Sequence, residues 1–370
     1  MKKLRAYSDA LEYLKPYASE KELQYPFSFS IQALETTLRY IIDLSYNCYI
    51  LIGDTRELLK FEFATTSPLL KKHLTQKNSL SSSKRKTLKH KQWRIMQCVV
   101  KPFGVSEDDL FPRFLKSLSV PSGLFVLSLS DSNLLRKDFG EPYFGVSTRY
   151  TPPFLPMFAY SGHQDYWDIP IPTYDDIHFA MNPFEVKQIP WSEKQSKAVF
   201  RGGITGCGVT PETNQRIHLA TKRNDLLDVG LVETSSKHLR FDPRHGLSEL
   251  KAHVHKVPKL PMFTEQIKYK YILHVDGNVF AYRWLSSFLT GSLILRVKSR
   301  YVHWTDTFFK DGKHYISIAA DLSDLNEKVN WCLHNDAACK RIAERSRKLA
   351  QMYLEKSFIE SYFLRSLQRL

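Results

Sequence analysis

The chain has 370 residues, 43% hydrophobic and 25% charged, a balance that excludes wholesale disorder, collagen-like repeats and a small disulfide scaffold. At roughly 150 residues per domain, the length gives two or three domains. Lysine and arginine total 53 against 38 aspartates and glutamates, a formal charge of +15, which favours a polyanionic partner such as nucleic acid, anionic lipid or a phosphorylated metabolite.

Leu4, Tyr7, Leu11 and Leu14 recur at helical spacing before Pro16, so an amphipathic helix is expected over residues 3–15, with a second over 30–45. Residues 46–53 and 58–63 flank Gly53-Asp54 and predict a hairpin or two adjacent strands. Residues 75–91 are polar enough for a long loop; overlapping it, the basic run 81–94 reads first as a solvated surface and second as a nucleic-acid or membrane patch. The apolar runs 95–100 and 124–129, with a helical stretch 108–118 between them, predict a β-α-β unit. Residues 141–190 are dense in proline and aromatics and suit irregular loops around a site; Pro190-Trp191 is the candidate domain boundary.

The second half starts with a strand at 198–201, a turn containing Gly202, Gly203, Gly206 and Gly208, and a helix over 211–222. Strands at 271–275, 292–297 and 315–319 alternate with helices at 280–289 and 322–333, and the residues from Lys340 on are helical. Such alternation implies a parallel sheet that binds ligands at the carboxyl ends of its strands. Cys48, Cys98, Cys207, Cys332 and Cys339 form no Cys-x-x-Cys pair and are odd in number, so reduced thiols are expected. Asp9, Glu12 and Lys15 interrupt the apolar region a signal peptide needs, and Asp43 cuts the best apolar window. A cytoplasmic chain, or one peripheral to membranes, is therefore expected.

Several positions suit chemistry. The turn from Arg201 to Gly206 lies between strand and helix, where backbone N–H groups could meet a phosphate or simply form a ligand-free turn. Asn214 and Arg216 follow on the helix, and a guanidinium there could take a diphosphate bidentately or face solvent. Arg283 returns about one and a half turns into the helix after Asp276-Gly277-Asn278, near the strand's carboxyl end, either for a ligand or for a carboxylate. Asp131 follows the strand 124–129, as a general base or as the N-cap of a helix starting at Leu134. The carboxylates Asp165, Asp168, Asp175 and Asp176 show no diagnostic metal-ligand spacing.

Taken in order, Phe200-Arg201-Gly202, Thr205-Gly206, Asn214, Arg216, Lys270-Tyr271-Ile272-Leu273, Asp276-Gly277-Asn278, Arg283, Ser292, Lys298, Ser299, Tyr301, Trp304, His314-Tyr315 and residues 321–325 resemble glycosyltransferase family 90. That family includes capsule-associated xylosyltransferases, protein O-glucosyltransferases and lipopolysaccharide-modifying enzymes. In the first half the match thins to Trp93-Arg94, Gln97, Asp131 and Asp168-Ile169-Pro170. The resemblance implies an α/β chain of GT-B class, two Rossmann-like domains facing across a cleft, with C-terminal helices. Residues 1–190 would form the acceptor-side domain, 191–345 the nucleotide-sugar domain, and 346–370 a helix returning to the first. It implies inverting transfer of xylose or glucose from UDP-xylose or UDP-glucose to a glycan or protein hydroxyl, with neither cofactor nor metal. By match, Asp131 is the base. Arg201, Gly202, Gly203, Thr205, Arg216, Asp276, Asn278, Arg283 and Lys298 form the donor site, and Trp167 and Asp168 stand on the acceptor side. Nucleic acid is then a disfavoured partner, and the charge suits peripheral contact with an anionic membrane. The competing reading from charge alone is a non-catalytic polyanion-binding protein on the same fold.

Overall fold

A computed structural model describes residues 3–4, 7–21, 23–43, 46–62, 97–102, 110–139, 150–222, 224–232, 239–242, 246–249 and 256–370. The expected loop 75–91, the basic run 81–94 and Trp93-Arg94 lie outside these. The chain divides into two compact units, one of Met1–Tyr174 with Glu360–Leu370 and one of Asp175–Ile359.

In the first unit β1 (Lys3–Leu4) precedes α1 (Tyr7–Leu14) and α2 (Ile31–Asp43). The Ser30 hydroxyl accepts from Ala33 N (3.2 Å) and caps α2, which buries Ala33, Leu34, Thr37, Leu38, Tyr40 and Ile41 along one stripe. The expected hairpin is present as β2 (Cys48–Ile52) and β3 (Glu57–Glu62), in register from Cys48 opposite Phe61 to Ile52 opposite Glu57. Then come β4 (Gln97–Pro102), α3 (Leu110–Leu115), β5 (Leu124–Ser128), β6 (Met157–Ala159), β7 (Gly162–His163) and β8 (Ile169–Pro170). Seven strands form one sheet in the order β1-β4-β3-β2-β5-β6-β8.

This sheet corrects two expectations. The runs that became β4 and β5 are not neighbours, because the β2–β3 hairpin is inserted between them, so they make no β-α-β unit. The pairings from β1 through β5 are antiparallel, and only β5-β6-β8 are parallel. The first unit is therefore a mixed sheet and not a Rossmann-like one. The cause is local: the short turn between β2 and β3 permits only antiparallel pairing, and the meander then propagates.

The second unit opens with α4 (Tyr174–Met181), whose buried Asp176 accepts from Trp304 Nε1 (2.8 Å). That bond ties the helix to residues far along the second unit, and the units divide after Tyr174, ahead of Pro190-Trp191. β9 (Gln195–Gly203), α5 (Gln215–Thr221) and β10 (Leu227–Val232) follow, then the hairpin β11 (Leu239–Asp242) and β12 (Gly246–Glu249). β13 (Tyr269–His274), α6 (Trp284–Phe288), β14 (Leu293–Val297), β15 (Tyr301–Val302), β16 (Ile316–Ile318), α7 (Leu325–His334), α8 (Asp336–Tyr353) and α9 (Lys356–Gln368) complete it. From Glu360 onward α9 groups with the first unit, where Phe363 lies edge-on to Phe111 and Phe114.

Five strands pair in parallel in the order β10-β9-β13-β14-β16. Their continuous apolar runs mark a sheet covered on both faces; Phe200, Leu231, Tyr271, Leu295 and Ile318 meet Leu325, Val329 and Ile342 of the helices. Numbered within the unit the order is 2-1-3-4-5, so the winding reverses between β9 and β13. At the amino ends of the strands the buried Lys194 Nζ donates to Ile267 O (2.5 Å), Thr290 O (3.0 Å) and Ser292 Oγ (3.1 Å), which lead into β13 and β14. Burial pushes this amine down to about 8, and repulsion from Arg347 adds to the effect.

In the first unit Gly123 has φ +128°, and a Cβ there would fall 2.6 Å from the Phe29 ring. Its carbonyl accepts from Gly53 N (3.0 Å) and its N–H donates to Asp54 Oδ2 (3.1 Å), locking the start of β5 to the β2–β3 turn. Gly123→Ala combines backbone strain with a clash and is expected to cost about 1–3 kcal/mol, read as a lowered denaturation midpoint in urea.

Candidate functional site

In an open parallel sheet a ligand crevice forms outside the carboxyl ends of the strands where the order reverses, here between β9 and β13. β9 ends in Gly202-Gly203 and runs into a turn in which Thr205 N donates to Gly203 O (2.8 Å) and Gly206 N to Asn278 Oδ1 (2.9 Å). Gly206 has φ +105°, and a Cβ would sit 3.2 Å from Gly277 O. Glycine is thus required for the turn to approach the loop after β13. Two of the turn's N–H groups, those of Thr205 and Gly206, are thus used inside the fold. Asn214 caps α5, accepting from Arg216 N (3.0 Å) and Ile217 N (3.1 Å), while its amide donates to Thr205 O (3.1 Å).

Arg216 does not face solvent and does not offer its guanidinium to a ligand. It is 8% exposed. Nη1 donates to Gly203 O (3.0 Å) and Thr205 Oγ1 (2.6 Å), Nη2 to Val275 O (2.9 Å) and Nε to Asp276 O (2.9 Å). One planar group thereby bridges the ends of β9 and β13. The Arg201 side chain is committed too: Nη2 pairs with Asp228 Oδ1 (2.6 Å), Nη1 reaches Asp228 O (2.8 Å), and Tyr269 OH donates to Asp228 Oδ2 (2.5 Å).

Asp276 organises the loop after β13. Oδ1 accepts from Ala281 N (2.9 Å), Oδ2 from Ser299 Oγ (2.5 Å), and His274 Nε2 lies 3.4 Å from Oδ1. Burial opposes charge on Asp276, but His274, Ser299 and the Ala281 N–H outweigh it and hold the carboxyl below its ordinary range. His274 itself is pushed down to about 4 by burial. Residues 280–283 are not helical as expected, because the Asp276 carboxylate draws the chain into a loop, and α6 starts only at Trp284 with Arg283 at its N-cap position.

Arg283 differs from the other two arginines. Its Nη1 donates to Arg201 O (2.7 Å), its guanidinium carbon lies 5.4 Å from the centre of the Phe200 ring, and the guanidinium makes no other hydrogen bond among the described residues. Burial pushes its pKa down to about 10, with Asp175 acting against that shift; the group stays cationic at neutral pH. Lys298 is exposed at the end of β14, its carbonyl accepting from Gln215 Nε2 (2.9 Å). Asn278 serves the loop, its carbonyl accepting from Tyr301 OH (2.7 Å).

In the first unit Asp131 sits exposed in the turn after β5. Ser128 Oγ donates to Ser132 O (3.1 Å) across that turn. No helix follows, so Asp131 is not an N-cap. Leu134 N and Leu135 N instead donate to Asp168 Oδ1 (2.6 Å) and Oδ2 (2.9 Å). Asp168 is buried with both oxygens occupied, which removes it from a surface facing an acceptor. Trp167 is half-buried, 6.0 Å from the Tyr25 ring, with Lys137 Nζ 5.5 Å above its own. Among the described residues no group of three or more His, Cys, Asp or Glu is placed to hold a metal ion, and no helix is long and apolar enough to cross a membrane.

Sequence reading missed Asp228, which neutralises Arg201, and Gln215, which also donates to Ala320 O (2.8 Å) and so joins the chain after β14 to that after β16. A polar residue in the first turn of a helix carries no signal separating this role from a solvated one.

Three comparisons bear on the chain. The model of the family described as "Glycosyl transferase family 90" matches residues 129–370. "Uncharacterized protein 179R" of Invertebrate iridescent virus 6 is 26% identical over 84% of this chain and 33% of its own length. Protein O-glucosyltransferase 3 of Rattus norvegicus is 29% identical over 72% of this chain and 50% of its own. The chain thus spans half or less of these relatives. Among solved structures, Anabaena HepE in complex with UDP-glucose is similar with a TM-score of 0.34 at 13% identity, over 51% of this chain and 56% of that one.

Arg216→Ala would strand buried carbonyls of both strand ends, each unpaired acceptor costing about 1–3 kcal/mol. A loss of about 3 kcal/mol or more is expected by denaturant titration, with Arg216→Lys recovering only part because an ammonium cannot reproduce the planar fork. Wild-type stability in Arg216→Ala would show that the bridge is dispensable.

Proposed function

The chain belongs to glycosyl transferase family 90, and on that premise we propose that it moves a hexose or pentose from a UDP-sugar to a hydroxyl of a glycan or protein, inverting the anomeric carbon. Glucose is favoured over xylose because curated relatives are named protein O-glucosyltransferases. The second unit, with its 2-1-3-4-5 sheet, is read as the nucleotide-binding half of a GT-B enzyme. The observation that carries the proposal is Arg283, a half-buried cation beside the reversal between β9 and β13 whose guanidinium makes a single hydrogen bond among the described residues.

In the proposed step the acceptor oxygen attacks the anomeric carbon from the face opposite UDP while Asp131 takes its proton. The bond between that carbon and the β-phosphate oxygen breaks, and its electron pair leaves with UDP. Arg283, with Lys298 at longer range, neutralises the charge that grows there, the role a divalent metal plays in other transferases. One displacement on an α-linked UDP-sugar gives a β-glycoside. Asp276, Asn278, Arg216 and Thr205 hold the loops around Arg283, and Arg201 O in β9 accepts from it.

A panel of UDP-sugars scored by UDP release, thermal shift and anomeric configuration tests the assignment. Salt-sensitive nucleic-acid binding without affinity for UDP would support the polyanion-binding reading instead. Asp131→Asn keeps the shape of the base but cannot take a proton. Turnover should fall by about two to four decades with UDP affinity unchanged, and near-normal turnover would remove Asp131 from the mechanism. Arg283→Ala should weaken UDP binding by about 1.5–3 kcal/mol, the scale of a charged hydrogen bond. An unchanged UDP Kd by calorimetry in a folded variant would refute that role.

A further inference from the structure

Asp131 lies on a stretch of chain with neither helix nor sheet to hold it, yet the residues after it are fixed from several sides. Asp168, 5% exposed, gives one oxygen to Leu134 N (2.6 Å) and the other to Leu135 N (2.9 Å). Two oxygens of one carboxylate on consecutive amides set the rotation of the peptide between them as well as its distance. The same stretch is held by Trp167 N donating to Leu135 O (2.7 Å), by the Asn133 amide donating to Ser161 O, and by two hydroxyls, Tyr46 OH on Asn133 O (3.2 Å) and Tyr40 OH on Leu134 O. On the other flank Ser128 Oγ grips Ser132 O. Asp131 is an exposed residue, beside exposed Ser130, of a turn anchored on both sides.

The carboxylate of Asp168 is hard to replace. Burial pushes its carboxyl up to about 7, against the pull of the two amide hydrogen bonds. An apolar side chain would leave two buried N–H groups unpaired, and an asparagine offers one acceptor while turning an NH2 toward the second amide.

We propose that Asp168 is a positioning residue for the base: by fixing Leu134 and Leu135 it sets the direction in which the Asp131 carboxylate leaves the chain, and it touches neither donor nor acceptor. The proposal rests on the reading of Asp131 as the base. In the full chain, Asp168→Asn should lower kcat about 10- to 100-fold, the scale of a misplaced catalytic group. The UDP Kd and donor KM should stay within about twofold, since those contacts are made elsewhere. The double variant Asp131→Asn/Asp168→Asn should be no slower than Asp131→Asn alone, because Asp168 acts through Asp131. Asp168→Glu, which keeps both oxygens, should recover part of the lost kcat. A wild-type kcat in folded Asp168→Asn, or fully additive losses in the double variant, overturns the positioning role. If Asp168→Asn does not fold, Asp168→Glu decides: a reduced kcat at unchanged UDP Kd supports the role, and a wild-type kcat removes it. Wild-type turnover in Asp131→Asn would mean that the base assignment itself has failed, whereas a slow Asp131→Asn beside a wild-type-like Asp168→Asn removes the positioning role alone.

Discussion

The second unit depends on one guanidinium. Where a parallel sheet reverses its winding, the connections leaving two adjacent strands depart to opposite sides, and the peptide groups just past the strand ends lose their ladder partners. Arg216 meets that need at β9 and β13, donating to carbonyls of both strand ends and to the Thr205 hydroxyl. The loops proposed to hold the donor are built on those ends. Lys194 makes a comparable tie at the opposite edge, so a single cation with several oxygens around it closes each end of the sheet. In both places the charge is satisfied by neutral oxygens of the chain, which explains why Arg216, a candidate ligand group in the sequence, is a structural one.

Local features were legible in the sequence. The β2–β3 hairpin follows from two apolar runs about Gly53-Asp54, and the parallel sheet from alternating strands and helices after Pro190. Arg283 was placed correctly near a strand end, although through a helix that the Asp276 carboxylate replaces with a loop. The misread elements are those fixed by partners distant in sequence. β4 and β5 look like neighbours only until the earlier hairpin is seen between them, and strand order is a property of long-range pairing that periodicity does not encode. Arg201 and Asp228 are 27 residues apart, and Asp168 meets Leu134 across 34. No local pattern distinguishes such committed side chains from free ones.

The two units use the same device for different ends. In each, a buried carboxylate organises a turn that carries a more exposed group: Asp276 receives Ala281 N and Ser299 Oγ ahead of Arg283, and Asp168 receives Leu134 N and Leu135 N behind Asp131. A carboxylate can accept several donors at once, so one side chain substitutes for the regular backbone ladder where the chain must bend.

The margins of the first sheet carry a consequence for solubility. An open sheet normally exposes a row of unpaired amides and carbonyls along each outer strand, a template on which a second chain can add. Here the outermost strands, β1 and β8, are two residues long each, and β8 ends in Pro170, which has no N–H to donate. Among the described residues neither β1 nor β8 is by itself long enough to seed an intermolecular strand, so edge-to-edge polymerisation along these two strands is disfavoured.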